Sequence, residues 1–154
     1  MNAAGLFEIK PKEGLGGLKF GATMAEAEKC FGAAEEVEHL EGEGNYKAIV
    51  WHYWDRGFSL FFDETGKQVF TCVEIDNEEA MLWGVHIFNM SEEEIVSLFK
   101  SKGFKEVDSE VHEWGEKRVS FDDALVDLYF EAGNLVSINY GVFEDDNTIV
   151  FFPN

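Results

Sequence analysis

Two segments of the chain carry the apolar spacing of a short helix behind the same start signal. Thr23 precedes Glu26 by three positions, and Ser91 precedes Glu94 in the same way. In this spacing the hydroxyl and the carboxylate accept hydrogen bonds from main-chain amides that a helix start leaves unpaired. The apolar residues behind each start signal follow the i, i+3, i+4 spacing of one helix face: Ala27, Cys30 and Phe31 in the first segment, and Ile95, Leu98 and Phe99 in the second. We therefore expect two helices, 68 positions apart, that each bury one side.

Strand patterns recur at the same offset of 68 positions. The apolar pattern of residues 58–63 matches that of residues 126–131, and further strand-like runs follow at 69–75 and 135–140. A glycine lies between the two runs of each pair, as is typical of a hairpin turn. Because caps, helix faces and strands agree at one offset, the chain is expected to contain an internal repeat.

These patterns predict an α+β fold: a tandem repeat of a helix followed by about four antiparallel strands, with the helices packed on one face of the sheet. We expect a single domain over residues 1–154, built of two repeats at about 15–76 and 84–143. Residues 14–17 are expected to form a flexible lead-in to the first repeat, and residues 77–83 to join the two repeats.

The strand patterns also predict which side chains point away from the helices, because strand residues alternate between the two faces of a sheet. If Leu60 and Leu128 face the helices, their sequence neighbours face the other side, and Thr71 and Val73 are expected to follow on that side. Aromatic anchors among polar neighbours are the composition of a protein interface. The predicted binding face is the outward set His52, Trp54, Phe61, Asp127 and Tyr129. The alternative is that a loop, the chain ends or a second copy of the chain covers these aromatic residues.

Composition favours a protein partner over nucleic acid or membrane. The chain has 12 Lys+Arg and 31 Asp+Glu, which gives a formal net charge of −19 at pH 7. Nucleic-acid phosphates and anionic membrane surfaces both attract clustered Lys and Arg, so we expect neither as a partner. With 45% hydrophobic and 15% aromatic residues, the chain has enough apolar material for a core. We expect a basic protein as the partner, and a homodimer stays open as an alternative.

The sequence also bears on the compartment. Residues 1–8 hold neither a basic region nor a long apolar run, so we expect no export signal there. The sequence contains no run of about 18 consecutive apolar residues, so we expect no membrane-spanning segment. Cys30 and Cys72 are too few for a disulfide scaffold. The expectation is a cytoplasmic protein in which both cysteines are reduced and buried.

None of the sequence patterns predicts catalysis, a metal or a cofactor. The four histidines, His39, His52, His86 and His112, lack the spacing that places two zinc ligands on one helix face. The serines lack a surrounding G-x-S-x-G elbow, and the glycines at 14–17 lack the lysine of a phosphate-binding loop. We therefore expect a protein that is not an enzyme and that holds neither a metal nor a cofactor.

Residues 18–32 begin with Leu-Lys-Phe-Gly-Ala-Thr at 18–23 and continue through Glu26 to Gly32. This segment resembles the strand-to-helix transition of the small lipoproteins of the bacterial outer-membrane barrel-assembly machinery. Two such units in tandem look like the β-lactamase inhibitor protein fold, in which paired helix-plus-four-strand modules present a concave sheet to a partner protein. The chain departs from both families, because it has no lipobox and only two cysteines. Inhibition of β-lactamase is therefore not carried over.

The resemblance implies a protein-binding sheet face, matched in a general sense to Trp54, Phe61, Asp127 and Tyr129. Small acidic proteins of this kind are also similar to bacterial toxin-immunity proteins, which neutralise a cationic effector. We expect a non-enzymatic protein-binding module of the immunity or inhibitor type. Two alternatives stay open: a small-ligand-binding domain with its pocket between sheet and helices, and a self-associating structural protein.

Overall fold

Strands dominate the structure, a computed structural model, and account for about 54% of the residues it describes. The described residues are 8–41, 47–63, 68–105, 107–111, 115–121, 124–141, 143–145 and 148–150, the last two with their backbone alone. His112 lies outside them. In chain order the strands are β1 (Glu8–Lys10), β2 (Gly14–Leu15), β3 (Leu18–Lys19), β4 (Glu36–Glu41), β5 (Lys47–Tyr53), β6 (Phe58–Asp63), β7 (Phe70–Ile75), β8 (Met81–Leu82), β9 (Val85–His86), β10 (Val107–Val111), β11 (Glu116–Phe121), β12 (Val126–Glu131), β13 (Asn134–Gly141), β14 (Phe143–Asp145) and β15 (Thr148–Val150).

The strands form a large sheet, a small sheet and a hairpin. The large sheet has eight antiparallel strands in the order β10-β11-β12-β13-β7-β6-β5-β4, so β7 and β13 meet at its centre and β4 and β10 are its edges. The small sheet has the order β3-β2-β1-β8-β9, in which β1 and β8 run parallel. β14 pairs with β15 and contacts β7.

The two helices begin at hydrogen-bonded caps, which confirms both predicted helix starts. The helices are α1 (Met24–Phe31) and α2 (Glu92–Ser101). The hydroxyl of Thr23 accepts a hydrogen bond from the N–H of Glu26 at 3.1 Å, and the Glu26 carboxylate accepts one from the N–H of Thr23 at 2.9 Å. Ser91 and Glu94 form the same pair of bonds at 3.2 and 2.9 Å. Neither helix in the described residues has the length and apolar character needed to cross a membrane.

The predicted fold class is wrong. The sequence predicts a tandem repeat of a helix followed by about four strands, with the helices packed on one face of the sheet. The structure instead is mostly strand and contains a second, five-stranded sheet. That sheet uses residues within 14–17 and 77–83, where the sequence predicts a flexible lead-in and a join. Four of its five strands have only two residues, too few to show a period-two pattern, which is why the sequence does not reveal them. The repeat bounds at 15–76 and 84–143 stay a prediction.

Both sheets and both helices contribute to one cluster of buried apolar side chains. Phe31 of α1 packs against Phe58 with ring centroids 4.9 Å apart, and Phe99 of α2 stacks on Phe121 at 4.5 Å. Because burial of a large side chain contributes roughly 1.5–3 kcal/mol, these aromatic contacts are a main source of stability. The core lies on the side of the large sheet that faces the two helices.

A bulge interrupts the pairing of β6 with β7. Phe62 opposes Phe70 and Phe61 opposes Cys72, which leaves Thr71 as an extra residue between the two pairs. The Thr71 hydroxyl donates a hydrogen bond to the carbonyl of Phe61 at 3.4 Å. The extra residue belongs to β7, a strand at the centre of the large sheet, so it affects the displayed surface.

The bulge overturns the prediction that Val73 points outward. Val73 opposes Leu60 and is fully enclosed in the core, whereas Thr71, the extra residue itself, is buried with no residue directly opposite it on β6. Side-chain direction alternates with a period of two, so one extra residue reverses the alternation beyond it. Cys72 and Glu74 therefore take the outward positions.

Candidate functional site

Polar side chains form a line across the large sheet on the side away from the core. In each strand one residue opposes the next across all eight strands: Glu36, His52, Ser59, Glu74, Asn139, Asp127, Ser120 and Asp108. Residues two positions along the strands extend this line into a surface. We call that surface the open face, formed by this line together with Glu38, Phe61, Cys72, Glu110, Arg118 and Tyr129, and by Trp54 just after β5.

A hydrogen-bonded histidine anchors one half of the open face. His52 is buried and its Nδ1 lies 2.7 Å from the hydroxyl oxygen of Ser59, the residue opposite it on β6. Its Nε2 lies 2.9 Å from a carboxylate oxygen of Glu38 on β4. With a partner at each nitrogen, the imidazole is held in one orientation.

This fixed ring supports the most prominent side chain of the face. Trp54 stacks on His52 with ring centroids 4.2 Å apart and planes 9° from parallel, and it remains 59% exposed. Trp54 opens a 3-10 turn, Trp54–Arg56, which Gly57 ends in the left-handed conformation at φ 70°. The indole N–H donates a hydrogen bond to the Glu36 carboxylate at 3.1 Å. Trp54 is thus ordered by its partners and still presents much of its surface to solvent.

The other half of the open face is an ion-pair network around one guanidinium group. Arg118 lies 3.7 Å from Asp108, 3.6 Å from Glu110 and 3.8 Å from Asp127. The Ser120 hydroxyl donates to Asp127 at 2.5 Å and accepts a hydrogen bond from Arg118. Three carboxylates therefore share one guanidinium group in this half of the face.

Between the two halves, Glu74 is the central acid of the open face. Partial burial and the neighbouring carboxylate of Asp76 raise the pKa of Glu74, and His52 opposes that rise. Within the described residues the side chain of Glu74 makes no hydrogen bond or ion pair. Tyr129 lies in the same electrostatic environment: burial and the Asp127 charge raise the pKa of its phenol, so it stays neutral near pH 7. A cation placed at Glu74 would relieve the repulsion between these acids.

The remaining side chains of the face are apolar or unreactive. Phe61 is half-buried beside Cys72. The Cys72 thiol donates a hydrogen bond to the side-chain oxygen of Asn139 at 3.0 Å. Burial raises the pKa of Cys72, and thiolate is the reactive form of cysteine, so this thiol is held in its unreactive state.

The structure places all five residues of the predicted binding face on the open face. His52 and Trp54 touch each other, Phe61 lies beside Cys72, and Asp127 and Tyr129 belong to the half around Arg118. His52 itself is buried and acts as a support. Sequence reasoning missed Glu74 because the bulge at Thr71 has no signal in residue type, and it missed Arg118 because only its position on β11 identifies its partners.

Two surface clefts lie elsewhere on the molecule. One has a volume of about 540 Å³ between α1 and the segment before it, with Lys19, Phe20, Glu26 and Cys30 among its lining residues. A second, of about 490 Å³, lies beside the small sheet near Trp83. In the part of the chain that the structure describes, no three His, Cys, Asp or Glu side chains are placed to hold a metal ion.

No known family model matches this sequence, and no curated protein matches it. Among solved structures, an extracellular protein containing a SCP domain from Bacillus anthracis str. Ames is similar, with a TM-score of 0.47 and 14% sequence identity. The match covers 79% of this chain and 43% of that one, so the present chain spans less than half of its length. A likeness at this level assigns neither a family nor a function.

Proposed function

We propose that the chain is a non-enzymatic protein-binding module that engages a basic partner through the open face, in the manner of an immunity or inhibitor protein. The observation that carries the proposal is Trp54, an ordered aromatic side chain with 59% of its surface exposed, set among carboxylates. Tryptophan is among the residues that most often dominate binding energy at protein interfaces. A cytoplasmic location belongs to the same proposal.

Charge supports the choice of a basic partner. The whole chain carries a net charge of −19, and the open face adds Glu74 and the three carboxylates around Arg118. Such a field speeds encounter with a positively charged protein, and desolvated aromatic contacts then hold the complex. The steering component weakens as salt is raised, because mobile ions screen exposed charges over about 10 Å at 0.1 M.

The series Ser59–His52–Glu38 invites an enzymatic interpretation, since hydroxyl, imidazole and carboxylate are bonded in the order used by nucleophilic catalysts. Ser59, however, is buried on β6, whose main chain pairs with β5 on one side and β7 on the other. Main-chain amides committed to a sheet ladder are not available to stabilise an oxyanion. We therefore assign the three side chains a positioning role under Trp54.

The proposal is tested by capture from the native organism followed by measurement with the purified partner. Wild-type protein, Trp54→Ala and the control Val37→Ala are used in parallel; Val37 is 52% exposed on β4 but lies on the opposite side of the sheet. We expect a basic protein whose affinity falls by roughly 30-fold with Trp54→Ala, as for an interface hot spot, and is unchanged with Val37→Ala. A captured partner that binds all three proteins equally, or with an affinity independent of salt, contradicts the proposal.

One observation favours a second candidate, a small-ligand-binding domain. The cleft of about 540 Å³ beside α1 lies within the size range of ligand sites, roughly 300–1,000 Å³. Screening a library of small metabolites by ligand-observed NMR tests this candidate. Binding that Cys30→Trp abolishes, with the fold intact by circular dichroism, would place a ligand in the cleft and favour this candidate over the open face.

A further inference from the structure

The edge strand β10 has an apolar side and an acidic side, and both are exposed. All five of its residues are exposed, and Val107 and Val111, on the core side of the sheet, are exposed by 41% and 71%. Asp108 and Glu110 lie on the open face. Within the described residues β10 pairs with β11 alone, so the main-chain groups on its outer side have no strand to bond.

The acidic side of β10 presents two exposed carboxylates. Asp108 and Glu110 share the guanidinium of Arg118 with Asp127, at distances of 3.6 to 3.8 Å. The side chains of Asp108 and Glu110 nevertheless remain 68% and 56% exposed. A strand laid against β10 would place its side chains opposite these acids, with Cβ atoms about 4.5–5.5 Å apart.

Charge makes a second copy of this chain a poor occupant of the edge. Antiparallel pairing of two β10 strands about Ser109 would set Asp108 of each copy directly opposite Glu110 of the other, and like charges in opposite positions destabilise a strand pair. Shifting this pairing by one residue would place Val107 and Val111 of the second copy on the side of the sheet that carries Asp108 and Glu110 of the first. The opposite edge, β4, differs because Glu36 and Glu38 are already bonded to Trp54 and His52.

We propose that β10 is a docking edge for an extended segment of a basic protein, which adds to the large sheet as a ninth, antiparallel strand. The segment alternates apolar and cationic residues: apolar side chains cover Val107 and Val111, and Lys or Arg side chains pair with Asp108 and Glu110. Main-chain hydrogen bonds supply affinity that is independent of sequence, and the alternation supplies specificity. The inference shares a cationic partner with the proposed function but uses the sheet edge, so the two are tested by different variants.

The probe is an acetylated, amidated peptide Val-Lys-Thr-Arg-Val, added to the full chain and followed by amide hydrogen exchange and NMR shifts. We expect shifts confined to residues 107–111 and their neighbours on β11, and slower exchange of those β10 amides that do not bond β11. Two peptides serve as controls: the same composition in the order Val-Val-Thr-Lys-Arg, and an N-methylated version that keeps the side chains but loses main-chain donors. Both should bind at least severalfold more weakly.

Variants of the protein separate local pairing from overall charge. Asp108→Asn with Glu110→Gln should weaken peptide binding by about three- to tenfold, the size expected for two cross-strand charge pairs. The double charge reversal Glu78→Lys with Glu79→Lys, in an exposed turn remote from β10, should have a smaller effect. Trp54→Ala should leave peptide binding unchanged, which distinguishes this edge from the open face.

Three results would overturn the inference. The first is equal binding of the alternating and N-methylated peptides, and the second is a shift pattern centred on any other part of the sheet. The third is a dimer, detected by sedimentation, that becomes more stable in the double variant Asp108→Asn with Glu110→Gln while peptide binding is lost. A second copy of the chain would then occupy the edge.

Discussion

The phenol of Tyr140, on the central strand β13, donates a hydrogen bond of 2.8 Å to the carbonyl of Gly14, 126 residues earlier on β2. This bond joins the large sheet to the small one. Burial raises the pKa of Tyr140 well above its ordinary value of 10.0, so the donor keeps its proton over the usual pH range. The contact explains how strands of only two or three residues are held in place.

Tyr140→Phe should destabilise the protein by about 1–3 kcal/mol, because it leaves the Gly14 carbonyl without its donor in a buried position. Urea unfolding followed by tryptophan fluorescence measures the change. Tyr53→Phe is the matched control: it removes a bond of the same length, to the carbonyl of Gly32, which lies outside the contact between the sheets. If hydrogen exchange in β1–β3 rises with Tyr53→Phe as much as with Tyr140→Phe, the linking role is wrong.

Gly14→Ala should destabilise the small sheet. Gly14 has φ 153°, and a Cβ atom there would lie 1.9 Å from the carbonyl oxygen of Leu18, which is far inside contact distance. The expected loss is about 1–3 kcal/mol, the cost of local backbone strain. Gly17→Ala is the control, because a Cβ there meets no atom within 4 Å. Thermal unfolding should separate the two variants, and equal midpoints would show that β2 and β3 are not packed as described.

Trp54→Ala should change the free energy of unfolding by less than about 1 kcal/mol, since much of the side chain is already in solvent. Tyr53→Ala, one position earlier, should cost about 3–5 kcal/mol because Tyr53 is fully buried. Chemical denaturation of both variants tests the assignment of one residue to the surface and the other to the core. A loss of several kcal/mol with Trp54→Ala would mean that Trp54 is covered.

Glu74→Gln should stabilise the protein at pH 7 and leave it unchanged near pH 3.5. The folded state raises the pKa of Glu74 above its ordinary value of 4.5, so the folded protein holds this proton more tightly than the unfolded chain. The resulting stability is fully present below the unfolded pKa and is lost as pH rises through the folded one. Because glutamine carries no charge, Glu74→Gln removes that loss. The expected gain in the free energy of unfolding at pH 7 is a few tenths to about 1 kcal/mol, since the charge is partly exposed. Glu79→Gln, in an exposed turn, is the control across the same pH series.

Local signals predict the parts of the fold that sequence neighbours determine. Both capping boxes follow from a hydroxyl residue and a glutamate three positions apart, and both are present. The alternation in residues 58–62 and 126–130 assigns core and surface correctly, because each strand there is six residues long and regular. The buried and outward positions of such strands can be predicted without knowing the partner strand.

Features that depend on distant partners are not visible in the sequence. The parallel pairing of β1 with β8 joins segments far apart in the chain, and each is too short to show a period. The ion pairs of Arg118 depend on the register between β10, β11 and β12. The site is therefore predicted in part: its aromatic and acidic residues follow from alternation, and the role of His52 as a support does not.

The extra residue in β7 has an evolutionary consequence. Deleting Thr71 would leave Phe70 opposite Phe62 and Cys72 opposite Phe61 with no extra residue between the two pairs, so Val73 would stay in the core and Glu74 on the open face. What the deletion would change is the local bend and twist that a bulge gives a strand. Loss of a single codon in β7 is therefore expected to reshape the surface at the centre of the sheet while the residues displayed there keep their positions.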